Sequence, residues 1–91
     1  MSQVTTRTSA GAHYTGTCRV GTVVLAAGSG AAARATITDA TAGSSTDYIV
    51  YDIAAVAGST TAVVLHGVDA NNGGYLEAIS GSGARVMVEI I

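Results

Sequence analysis

Apolar and polar positions alternate along this chain in short runs separated by glycine and serine. A period of two calls for half-buried strands rather than helices. The clearest run is 19–27, RVGTVVLAA, whose centre at Val23, Val24 and Leu25 is continuously apolar. Such a run is either covered on both faces or lies at a subunit contact. Residues 31–39 place Ala33, Ala35 and Ile37 on one face and Arg34, Thr36 and Thr38 on the other. Alanines also suit a helix, but the Thr-Ile-Thr end and the flanking glycines favour a strand. Residues 47–56, DYIVYDIAAV, set Ile49, Tyr51 and Ile53 against Tyr48, Val50 and Asp52. Residues 60–66 set Thr61, Val63 and Leu65 against Ala62, Val64 and His66. The last strands are expected at 75–80 and 84–91, the latter with Val86, Val88 and Ile90 inward and Arg85, Met87 and Glu89 outward.

Between these runs lie turn residues: Gly28-Ser29-Gly30, the loop at 40–46, Gly58-Ser59, the corner GVDANNGG at 67–74, and Gly81-Ser82-Gly83. Glycine and asparagine there supply the positive φ that tight turns need. The first stretch is weaker. Residues 3–8 read as an arm or edge strand and 12–17 as a short strand, so the expected division is an arm or edge segment over 1–17 and a sandwich domain over 18–91. Strand signals every 8–12 residues imply an all-β fold, a single small antiparallel β-sandwich or jelly-roll-like barrel with an N-terminal arm.

Composition limits how that fold is held together. The 91 residues include 12 glycines, four tyrosines and no phenylalanine or tryptophan. Apolar burial contributes about 25 cal/mol per Å², and alanine offers little area, so the core is expected to be thin. Small domains add disulfides, metals or oligomerisation. Cys18 is the sole cysteine, which excludes an intrachain disulfide. His13 and His66 are far apart in sequence without a carboxylate cluster, so no metal is expected, and oligomerisation is left as the support.

The formal charge is −2, and 11% of residues are charged, against about a quarter in an average domain. The four arginines are dispersed, where nucleic-acid binding wants a basic stripe with stacking aromatics. A sparsely charged surface suits contact with other protein, as it also suits a neutral Thr/Ser surface. Neither an export signal nor an apolar run of about 18 residues is visible, so synthesis in a cytoplasm without membrane association is expected.

Candidate chemistry is sparse. His66 and Asp69 are the nearest approach to an acid–base pair, which needs hydrogen-bond reach within a pocket. Ser59, Ser80 and Ser82 sit in turns outside any G-x-S-x-G elbow. Cys18 has no histidine beside it and reads as a small buried hydrophobe. The glycines around Ser82 lack the following helix that a phosphate loop needs. Asp39, Asp47 and Asp52 match no calcium-loop spacing. Tyr48, Tyr51 or Tyr75, if exposed, would offer a sugar a stacking face. The expectation is no enzyme, with no catalytic, cofactor-binding or metal-binding residue.

One likeness adds to this reading. The segments Val24-Leu25-Ala26-Ala27-Gly28, Thr36-Ile37-Thr38-Asp39-Ala40-Thr41, Gly58-Ser59-Thr60, Gly67-Val68, Gly74-Tyr75-Leu76 and Ser80-Gly81-Ser82-Gly83-Ala84 follow one another in a recognisable order. From Val20 onward this order resembles small proteins of tailed-phage structural gene regions, with capsid decoration (cement) proteins as the plainest example. Residues 1–17 have no counterpart in it. The resemblance implies a β-sandwich virion component, made in the host cytoplasm and assembled as a homotrimer. Its partner would be the major capsid protein or another virion protein, bound at capsomer junctions to stabilise the head. A tail, baseplate or head-fibre component is the nearest alternative, and a carbohydrate- or surface-binding module a further one.

Overall fold

The computed structural model describes residues 3–41 and 48–91 and contains eight strands and no helix among them. They are β1 (Gln3–Arg7), β2 (Gly11–Thr15), β3 (Cys18–Ala26), β4 (Ala33–Asp39), β5 (Tyr48–Ala55), β6 (Thr60–Ala70), β7 (Gly73–Ser80) and β8 (Arg85–Ile90). Two four-stranded antiparallel sheets form, ordered β1-β8-β3-β6 and β2-β7-β4-β5. Strands one and eight, two and seven, three and six, and four and five are therefore neighbours. That is a long antiparallel ribbon, folded back at the β4–β5 hairpin and wrapped over itself, which is the jelly-roll form of the sandwich.

Segment 3–8 resolves into an edge strand: β1 pairs with β8 along all five of its residues. β2 forms the matching margin of the second sheet, against β7. Residues 3–15 thus border both sheets. The loop expected at 40–46 falls largely outside the described residues.

The core lies where the inward positions of the two sheets meet. Val20, Val23, Leu25, Val86 and Val88 come from the first sheet, and Ala33, Ala35, Ile37, Ile53 and Leu76 from the second. Leu25, Ile37 and Leu76 are its largest fully buried side chains. Of the tyrosine side chains described, Tyr14 and Tyr51 pack half-buried against the cluster and Tyr75 is also half-buried. A valine- and alanine-rich interior of this kind removes little apolar area per residue from water.

Four irregularities depart from simple alternation. β3 carries an extra residue at Gly21, and opposite it β6 loops out at His66 (φ 57°) and Gly67 (φ 90°) before pairing resumes at Val68. The strand expected to end at His66 therefore continues to Ala70, through the corner expected at Gly67. A bulge restarts the pairing in the new phase, which pattern reading cannot foresee. In β5, a second bulge falls between Tyr51 and Ile49, opposite Ile37 and Thr38. Val50 packs towards the core and Ile49 is left outside at 54% exposure, reversing the faces expected for that end. A third bulge, at His13 in β2, turns that histidine into the interior, and a fourth adds Glu77 to β7 opposite Thr36 and Ile37 of β4.

Candidate functional site

The residues most suited to catalysis do not come together. Asp69 is held by Arg19, whose Nε lies 3.1 Å from its Oδ1, while the same guanidinium donates through Nη2 to the Gly67 carbonyl at 3.1 Å. Arg19 thereby straps the β6 bulge, and His66 projects from it into solvent. No hydrogen bond joins His66 to Asp69 among the described residues. Ser59 closes its turn, donating from both Oγ and backbone N to the Val56 carbonyl. Ser80 and Ser82 are exposed at the β7–β8 turn, which leads into a strand.

Cys18 is buried at the start of β3. Burial, with the negative charge of Asp39 nearby, pushes its thiol pKa up and disfavours the thiolate. Of the three aspartates weighed for calcium, Asp47 lies outside the described residues. Asp52 accepts a bond from Thr36 Oγ1 at 2.6 Å. Asp39 faces the β6–β7 turn alone. Tyr14 and Tyr51 are engaged with the core, and Tyr75 is half-buried.

Asp39 has a definite task. Its carboxylate accepts the backbone N–H groups of Asn71 (2.9 Å), Asn72 (2.7 Å) and Gly73 (3.3 Å). Desolvation raises its pKa, but the three N–H bonds outweigh this and hold it below the usual value. The turn is pinned from the other side, where Thr17 Oγ1 donates to Asn71 O and Gly16 N to Asn72 O. Gly73 stands at φ 147°, and a Cβ there would run into the Tyr14 carbonyl, so the position accepts only glycine. Asp39→Ala leaves three N–H groups without their charged acceptor. It is expected to cost about 1–2 kcal/mol, read as a lower urea midpoint at unchanged m-value. The Asp39 contribution is present above the ordinary carboxylate pKa and disappears as pH falls through the lower folded one.

His13 was visible in the sequence only as a distant second histidine. It is 5% exposed, with Nδ1 2.7 Å from Thr5 Oγ1 on β1 and Nε2 buried without a partner. A buried N–H without an acceptor is costlier than an unused lone pair, so the proton is best placed on Nδ1, donating to Thr5. Burial first, then the positive charge of Arg7, lowers the imidazole pKa to about 4; hydrogen bonding to the Thr5 backbone acts the other way. Arg7 itself wraps the β1–β2 turn, donating to the carbonyls of Ser9, Ala10 and Ala12.

The surface feature left over is the outer face of the first sheet. Val4, Thr22, Val24, Met87 and Glu89 line one shallow concavity. A second, continuous with it through Val24 and Met87, adds Thr6, Ala26, Thr60 and Arg85. Val4 and Val64 are each 58% exposed and Met87 40%. The continuous Val23-Val24-Leu25 run thus resolves: Val23 and Leu25 enter the core, and Val24 lies on a face that the described residues leave uncovered. That signal was legible in the sequence, although the neighbours of Val24 on β1, β8 and β6 were not.

Comparison of the chain with family models, with curated proteins and with solved structures finds no match.

Proposed function

We propose that this protein is a structural component of a virus particle, a decoration protein of a tailed-phage head that braces neighbouring capsid subunits. The observation that carries the reading is the jelly-roll strand order, β1-β8-β3-β6 against β2-β7-β4-β5, an architecture well represented among capsid and lectin domains. The phage-like order of segments from Val20 onward inclines it to the particle rather than the sugar. So do the core-bound positions of Tyr14 and Tyr51, which withdraw two of the four tyrosines from stacking on a ligand.

Adhesion is the mechanism. Many weak contacts, repeated by symmetry, add up through effective concentration. The trimer implied by the resemblance would close at the margin where β5 lies over β6. There Val63, Leu65 and Tyr51 are half-covered and Ile49 is exposed. A tail or head-fibre position uses the same physics, and copy number separates the two. On purified particles, decoration is expected to give hundreds of copies per head by quantitative mass spectrometry. Six or twelve copies would assign the protein to a tail or connector instead, and absence from particles would overturn the reading.

A further inference from the structure

We infer that the outer face of the β1-β8-β3-β6 sheet is a two-fold contact with a second copy of this chain. Three rows of side chains cross the face. The first is Val4, Glu89, Thr22 and Val64; the second is Thr6, Met87, Val24 and Ala62; the third is Arg85, Ala26 and Thr60. The middle row carries no charge. Glu89 and Arg85 stand on β8 on either side of Met87, four residues apart, roughly 13 Å, so they do not pair with each other.

An axis lying between two such faces, along the middle row, reverses the strand direction. It sets Met87 on Met87 of the second copy and brings Glu89 over Arg85 of the second copy, twice by symmetry. An axis along the strands would instead place like charges in facing rows, Glu89 with Glu89, which costs energy. The face is thus self-complementary in one orientation and selects against the other. Arg85 is exposed with no ion-pair partner among the described residues, and Glu89 is half-buried, accepting from Thr22 Oγ1 at 3.1 Å. Thr22 holds the carboxylate in place while leaving its second oxygen available.

The face is small. Four strands at about 4.8 Å and five or six residues at about 3.3 Å give roughly 350 Å² of sheet per copy. A stable interface buries about 800 Å² per partner, so the contact is weak, with Kd between the micromolar and the low millimolar range, on the order of what small interfaces give. It does not rest on the virion reading. It also uses a different surface from the β5–β6 margin, so a trimer closing there would meet a second trimer through it.

Sedimentation velocity across protein concentration tests this. A step that doubles the mass is expected for a monomer, and for a trimer, which carries the face three times, a step to a hexamer or to larger arrays; either should weaken with added salt. Arg85→Glu and Glu89→Arg each replace both attractive pairs by repulsive ones and are expected to raise Kd about tenfold or more. The combined R85E/E89R variant restores complementarity and is expected to bring Kd back to within about threefold. Met87→Lys should abolish the step, with circular dichroism confirming an intact fold for each variant. No doubling up to about 1 mM protein, or a doubling indifferent to these substitutions, overturns the proposal. Failure of the double variant to recover overturns the two-fold geometry. Absence from phage particles leaves the doubling step unaffected and counts only against the virion reading.

Discussion

Leu76→Ala is expected to remove about 3 kcal/mol from the free energy of unfolding. Leu76 is fully buried and shares the largest-side-chain layer of the core with Leu25 and Ile37. Truncation at Cβ removes three carbons from the interior and leaves a cavity that antiparallel sheets close only partly. A domain of this size has a total stability of roughly 5–13 kcal/mol, so the loss takes a large share of it. The comparison that makes the measurement specific is Val64→Thr, a β-branched exchange on the outer face, expected within about 0.5 kcal/mol. Urea unfolding followed by circular dichroism reads both. A Leu76→Ala cost under about 1 kcal/mol would contradict the interior assigned to the second sheet.

Acidification is expected to destabilise the fold through His13. The imidazole titrates near its ordinary value of 6.5 when unfolded, and at about 4 when folded. Between those values the unfolded chain binds more protons, so unfolding becomes easier as pH falls. Above about 6.5 the contribution is complete; below about 4 both states are protonated and no further loss accrues. Relaxation of the two bordering strands around a charged ring offsets part of the full shift, which leaves about 2 kcal/mol across the window. His13→Leu removes the titrating group and is expected to flatten the stability profile between pH 6.5 and 4. Histidine side-chain NMR supplies the direct reading, a His13 midpoint near 4. A midpoint at the ordinary histidine value would show that the ring is solvated rather than interior.

The consequence of protonation is local. His13 and Thr5 join the two strands that border the sheets, β2 and β1, across the end of the sandwich. A charged imidazole with a buried Nε2 disfavours that join first. Hydrogen exchange is therefore expected to rise in β1 and β2 before the centre of β3 opens as the pH is lowered.

The sequence by itself determined the fold class, the number of main strands and most of their faces, because a period of two is a local property. Ala33, Ala35 and Ile37 are inside, Val86, Val88 and Ile90 are inside, and Met87 is outside, as alternation requires. It also signalled the uncovered face, since a Val-Val-Leu run leaves Val24 wherever its neighbours are buried.

Alternation fails where a residue is added to one strand, at Gly21 against His66-Gly67, at Val50, at His13 and at Glu77. A bulge shifts the phase by one position without changing the composition around it. Ile49 lies outside and His13 inside for that reason, and no count of apolar residues distinguishes the two outcomes.

The remainder depends on which strands become neighbours. Asp39 reads locally as a loop aspartate, and its partners at Asn71, Asn72 and Gly73 stand more than thirty positions away. Only the return of β7 beside β4 brings them together. Likewise Val4, Val24, Val64 and Met87 form one face because β8 comes back between β1 and β3. Strand identity is decided by neighbours along the chain; strand order, and every surface and buried contact that follows from it, is decided by how the whole ribbon closes.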